Sequence, residues 1–340
     1  MPIIRYRIDV SYGRFPGGKK MKKVIIWFCT ISLMCLSISS CAKKSEKTRI
    51  GYIQHASALA FFVAQDKGYF KEEGLDIDFI QLGYKEYTDA LITGRVDVIS
   101  PASFPILFGI ESERAGSIKF FHAAGEKRGG ELVYGVLVRE DSNISTLQNL
   151  KGMRIAVDHP VTLVNMKLIL SKIGLDPDRD VNIMQIDKSI VLTALLSNKV
   201  DAILLDQPNL AAAVEKDGVK LLSANPRAEY IMDPYWSGAP ATTSDYVKSN
   251  PVTIRGIMKA LDKALDFIRN SPTEAKQLLT KYTPIDMNLA GKVGYYFEAK
   301  SNELVDLQSI QKLADLLVKY EILKKEINVR NMYIDLTNLK

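Results

Sequence analysis

His55 and His159 lie 104 residues apart and are two of the chain's three histidines. Each follows a short apolar run that reads as a strand, residues 50–53 or 153–157, and each opens a helical stretch. A neutral imidazole donates from one nitrogen and accepts at the other. Two of them beside free helix N–H groups form a clamp for a polar or acidic solute held from both sides. The same residues can instead cap their own helices or fill the edge of a lobe. Two imidazoles without a carboxylate or thiolate shell are poor grounds for a metal, so neither metal nor cofactor is expected.

The neighbours extend the candidate site. The first turn is Gln54-His55-Ala56-Ser57, small and open; the second is Asp158-His159-Pro160-Val161-Thr162. Pro160 suits a first helical position, where its missing N–H is no loss, and Thr162 offers a hydroxyl. Two further strands end in Ser100-Pro101-Ala102-Ser103 and Leu205-Asp206-Gln207-Pro208. Pro101 and Ala102 would lie at the cleft, while Ser103 and Gln207 can hydrogen-bond a solute. Asp206 can bind an amine or cap the helix that starts near Asn209. Arg128 is a partner for a carboxylate or sulfonate unless it is a solvated loop charge. Trp236 can stack on a planar ligand or pack across a hinge, and His122, in a Phe-Phe-His-Ala run, reads as a core histidine.

Cysteines occur only at Cys29, Cys35 and Cys41, so nothing beyond residue 41 can form a disulfide, a thiolate metal site or a Cys nucleophile. The formal charge of +6 is equally local: seven of 45 Lys and Arg, but one of 39 Asp and Glu, fall in residues 1–40. The remainder is neutral, which gives no electrostatic case for nucleic acid. Met21-Lys22-Lys23 and the apolar run 24–38 fit a signal peptide and fall short of a membrane span. Ile38-Ser39-Ser40-Cys41 resembles a bacterial lipobox, with Cys41 as the lipidated residue and 41–47 as a tether. Residues 1–20 fit no part of a leader and read as a start-site artefact, with Met21 the true start.

The elements that must position the histidines repeat. Residues 89–100, DALITGRVDVIS, are echoed by 193–204, TALLSNKVDAIL; Gly74-Leu75-Asp76 is echoed by Gly174-Leu175-Asp176. Each half reads β-α-β-α-β, beginning with strand 49–53, helix 56–65 and strand 77–82. Apolar segments 132–138 and 238–243 flank the second half, and the glycines of 125–130 with Gly238 of 235–238 suit a hinge. Beyond Tyr246 the chain is amphipathic helix, notably 252–268 and 304–323, and packs back on the first lobe. The expected lobes are 48–128 with 244–340, and 129–243.

Further motifs carry a family resemblance over residues 48–338. They are Val63-Ala64-Gln65-Asp66-Lys67-Gly68-Tyr69-Phe70 with Glu73-Gly74-Leu75-Asp76, Leu150-Lys151-Gly152 with Arg154-Ile155-Ala156-Val157, Lys199-Val200-Asp201-Ala202, and Leu313-Ala314-Asp315-Leu316-Leu317. The sequence resembles the solute-binding proteins of ABC importers in the sulfonate, taurine, nitrate and thiamine-precursor group. The resemblance implies an α/β, two-lobed periplasmic-binding-protein fold, type II-like, each lobe a doubly wound sheet with flanking helices and the ligand in the cleft. It also implies capture without chemistry and delivery to a permease and its ATPase; with the lipobox at Cys41, the expectation is a monomer held outside the cytoplasm on a lipid anchor. The His-Pro pair at 159–160 departs from the Gly-Ser-Ser-like residues common there. The expected solute is a small organic anion, with a heteroaromatic ring as the alternative. An enzyme on the same fold and a ligand sensor are the competing classes, and the pyrimidine-forming enzymes of this fold carry a cysteine motif that this body lacks.

Overall fold

The computed structural model describes residues 47–339 apart from Lys85. The proposed start, signal peptide and Cys41 lie outside them. Alternating β-branched and apolar residues give each half its three parallel strands. In the first, β1 (Thr48–Tyr52) pairs in parallel with β2 (Ile77–Gln81) and β3 (Val98–Ser103). After β4 (Ile118–Phe120) and β5 (Ala123–Glu126) the chain leaves this sheet. It enters a second through β6 (Tyr134–Arg139). There β7 (Arg154–Val157) pairs in parallel with β8 (Asn182–Gln185) and β9 (Ala202–Asp206), and β10 (Val219–Ala224) closes the edge against β6. The chain returns through β11 (Tyr235–Thr243) and later adds β12 (Phe297–Ala299).

The sheet orders are β12-β5-β11-β3-β1-β2, with β4 beside β11, and β10-β6-β9-β7-β8. In each, an antiparallel strand from the flanking apolar segments lies beside the third parallel strand: β11 beside β3, and β6 beside β9. This corrects one boundary. Residues 235–243, expected in the second lobe, form a central strand of the first sheet. Glycine makes that placement possible, because a Cβ on Gly238 would come within 2.2 Å of the Ala102 carbonyl oxygen.

The helix Leu59–Asp66 buries every residue from Leu59 to Ala64. It is sandwiched between the first sheet and the 20-residue helix Pro251–Asn270, whose Ile254, Ile257, Leu261 and Leu265 complete one apolar cluster. The amphipathic tail therefore packs back on the first half, as its periodicity requires. The last long helix begins later than the apolar spacing suggested: Asp306 caps Leu307–Lys319, and Leu304 is left 91% exposed. No helix among the described residues is long and apolar enough to cross a membrane.

Candidate functional site

Each half places its histidine through a strand and a cap. β1 ends at Tyr52, and His55 caps the single turn Ala56–Ala58, its Nδ1 accepting the Ser57 amide at 3.1 Å. That bond leaves the ring hydrogen on Nε2. β7 ends at Val157, and His159 is the cap residue of the helix Pro160–Lys172. Thr162 ties this turn: its hydroxyl accepts from the His159 amide at 3.1 Å and lies 3.1 Å from Asp158 Oδ1.

The two histidines converge on one carboxylate. Asp206, the last residue of β9, has Oδ2 3.2 Å from His55 Nε2 and 3.3 Å from His159 Nε2. The contact to His55 is close but not aligned as a hydrogen bond. Asp158 Oδ1 lies 3.6 Å from the same His159 nitrogen. Burial by itself would raise Asp206, but the two histidines outweigh it and hold this carboxyl far below the usual range. Asp158 moves the other way, raised by burial and then by the charge of Asp206. Burial opposes charge on His159, yet Asp206 and Asp158 raise it above an ordinary imidazole. Asp158, His159 and Asp206 bring their ligand atoms within 4.8 Å of one another, the carboxylate shell that two histidines alone did not promise.

Behind this cluster is a cavity with about 80 Å³ open to the centre of a water molecule, room for several water-sized groups. Both sheets wall it. The first supplies Ile53, His55, Ser57, Pro101, Ala102, Ser103, Ser237 and Gly238; the second supplies Tyr134, His159, Val161, Asn165 and Asp206. Tyr84, Tyr87, Thr88, Ile106, Ala124, Arg227 and Tyr296 complete the lining. Tyr84 stacks on His159 with centroids 5.2 Å apart and planes at 16°. Asn165 donates to the Tyr134 hydroxyl at 3.1 Å and accepts from Tyr235 at 3.0 Å. Arg227 is a buried charge with its partner in place: Glu126 takes Nε at 3.1 Å and a terminal nitrogen at 2.7 Å, and Tyr134 and Tyr235 cover the guanidinium. Four buried polar atoms of the lining have no hydrogen-bond partner: His55 Nε2, His159 Nδ1, Ser103 Oγ and Ser237 Oγ.

The expected residues divide accordingly. His55, Ser57, Pro101, Ala102, Ser103, His159, Val161 and Asp206 line the cavity, and Gln54 and Asp158 line the smaller adjoining mouth. Arg128 does not reach it. Its side chain is 58% exposed, pairs with Glu229 at 2.9 Å, and its amide donates to Asp233. Trp236 packs edge-on against Phe297 instead. Gln207 braces backbone, donating to the Leu132 carbonyl at 2.8 Å and accepting from the Ala211 amide. Ala56 and Thr162 are buried in their own turns, and Pro160 faces solvent at its helix start. His122 pairs with Asp262 at 3.0 Å in the core. Tyr84, Tyr134, Asn165, Arg227 and Tyr296 were not anticipated. Only Asn165 carried a signal, a polar residue between apolar neighbours in the run Leu163-Val164-Asn165-Met166.

The paired sheets with a cavity between them define a two-lobed periplasmic-binding-protein fold. The periplasmic aliphatic sulphonate binding protein SsuA from Escherichia coli shares it, with a TM-score of 0.71 over 87% of this chain and 99% of that one, at 18% identity. Residues 55–275 match the family described as NMT1/THI5 like, and the chain belongs to that family. A Bacillus subtilis (strain 168) protein provisionally named aliphatic sulfonates-binding protein is 24% identical over 306 residues, 88% of each chain. A protein of Haemophilus influenzae (strain ATCC 51907 / DSM 11121 / KW20 / Rd), provisionally named thiamine biosynthesis protein, is 22% identical over 93% of this chain and all of its own length.

Proposed function

We propose that this chain is a solute receptor of an ABC importer, anchored outside the cytoplasm through Cys41, which holds a small organic molecule between its lobes and performs no chemistry on it. The lobes are residues 48–128 with 235–340, and 129–234. The observation that carries the reading is the set of buried polar atoms without a hydrogen-bond partner, Ser103 Oγ, Ser237 Oγ and His159 Nδ1, in the lining of one cavity walled by both sheets. Buried polar groups are rarely left unpaired, so these await the hydrogen-bonding groups of an occupant. The names of the relatives above, a sulfonate binder and a thiamine biosynthesis protein, agree with capture of a small metabolite.

The lining favours the ring-bearing alternative over the anion. Asp206 and Asp158 place carboxylates at the cavity and its mouth, the Ser57 amide is spent on His55, Pro160 has no N–H, and Glu126 neutralises Arg227. A neutral or weakly basic heteroaromatic solute would donate to Asp206 and lie among Tyr84, Tyr134 and Tyr296. A thermal-shift panel of pyrimidines, flavins, sulfonates, carboxylates and nitrate tests this. An occupant at 100 times its dissociation constant adds about 2.7 kcal/mol of stability. The expected hit is a heteroaromatic recovered unchanged after incubation. A hit confined to sulfonates would overturn the solute class, and conversion of the hit would overturn the receptor role.

A further inference from the structure

The geometry points to a divalent transition-metal site at the mouth of the cleft, formed by Asp158, His159 and Asp206. The three side chains come from two turns of the second half, the end of β7 and the end of β9, which parallel pairing sets side by side. His159 Nε2 is 3.3 Å from Asp206 Oδ2 and 3.6 Å from Asp158 Oδ1. A metal bound at 2.0–2.2 Å to nitrogen and oxygen holds tetrahedral donors about 3.3–3.6 Å apart. Two edges of that tetrahedron are therefore already set, and only the two carboxylates, within 4.8 Å, must draw together.

A second, independent observation marks the centre as a place for an occupant. His55 is 7% exposed, and its Nε2 points at Asp206 without an aligned partner. Because the Ser57 amide fills Nδ1, Nε2 carries hydrogen and cannot itself bind a metal. From beside Asp206 it would donate to a metal-bound water or to an oxygen of the solute. The Thr162 hydroxyl 3.1 Å from Asp158 Oδ1 and Tyr84 stacked on the His159 ring hold two of the ligands in place, while His159 Nδ1 has no protein acceptor. One imidazole and two carboxylates suit Zn²⁺, Co²⁺ or Fe²⁺. The mouth also carries Lys188, whose charge opposes a cation and makes the affinity moderate. Metal binding is read here without any organic solute, so it stands or falls apart from the receptor reading.

The test is a Co²⁺ titration of the chelator-treated, full-length protein, followed by visible absorption. One equivalent should give the intense bands of a four-coordinate ion, without the near-ultraviolet charge-transfer band that Cys29, Cys35 or Cys41 would add, and Zn²⁺ should bleach them. His159→Ala and Asp206→Asn should each weaken Co²⁺ binding by about tenfold or more. His122→Ala should leave it unchanged. Asp158→Asn supplies a third reading where either of the first two variants loses its native circular dichroism. No visible bands with the wild-type protein, a thiolate band, or equal binding in the folded ligand variants would overturn the site.

Discussion

The two halves share a frame and differ in what they hold at its end. Arg49 gives Asp97 its amide at 2.8 Å, Nε at 3.1 Å and a terminal nitrogen at 2.6 Å. Arg154 repeats this on Asp201 at 2.9, 2.9 and 2.8 Å. Gly94 and Asn198 turn the chain before the third strand of each half, with φ of 72° and 57°. Past these twins the halves part. β3 ends in Ser103, a neutral hydroxyl, and β9 ends in Asp206, a carboxylate that draws in both histidines. The repeat fixes where cleft residues stand, and two carboxylates at strand ends of the second half, Asp158 and Asp206, decide which half carries the charge.

The largest effects should come from features that have no twin. Glu126 joins the first sheet to Arg227, and both are buried, so Glu126→Ala leaves an uncompensated cation and should cost about 3–5 kcal/mol in chemical denaturation. A loss below about 1 kcal/mol would show that the pair is not needed to hold the halves together. Next is Glu298 on β12, a strand the second sheet lacks. Burial pushes its carboxyl up to about 8, with Arg269 pulling the other way. The folded protein thus keeps this proton to a higher pH than the unfolded chain. The resulting stability is full below the ordinary carboxylate pKa and lost as pH rises through about 8. Glu298→Gln should flatten that decline, a difference on the order of 3 kcal/mol between pH 5 and 9. Parallel pH profiles for the two proteins would contradict it.

Twins should respond alike. Asp97→Asn and Asp201→Asn each remove the same charged acceptor and should lower Tm equally, by roughly 2–5 °C. Unequal losses would mean that the repeat is geometric and not energetic. The smallest effect separates the two turns. Gly94→Ala forces a Cβ into left-handed backbone and should cost about 1 kcal/mol. Asn198→Gly keeps the left-handed backbone but removes the Oδ1 that accepts from Arg139 at 2.7 Å and Arg154 at 3.3 Å, and should cost about 0.5 kcal/mol at this exposed site.

What the sequence made legible follows from this frame. The echo of residues 89–100 in 193–204 was enough to place His55 opposite His159, because parallel strands of equal plan end at the same edge. The flanking strands were legible as strands but not by sheet. Nothing in residues 235–243 shows that they return to the first sheet; that depends on Gly238 admitting a close approach to Ala102. Arg128 was a plausible anion partner by charge alone, whereas the cavity's arginine is Arg227, drawn in by Glu126 about a hundred residues away. Asp206 had two readings from sequence, amine partner or cap, and its actual neighbours come from both halves. Tertiary partners of this kind leave no local pattern to read.

The central claim is that the cleft between the two sheets is where a solute binds. It is tested most directly by calorimetric titration of the thermal-shift hit into wild-type protein, His159→Ala and His122→Ala. His159 lines the cavity and His122 is buried with Asp262, so the first substitution should weaken binding by about tenfold or more. The second should leave the dissociation constant within about twofold of wild type. Equal affinities for the two variants would contradict the assignment of the site.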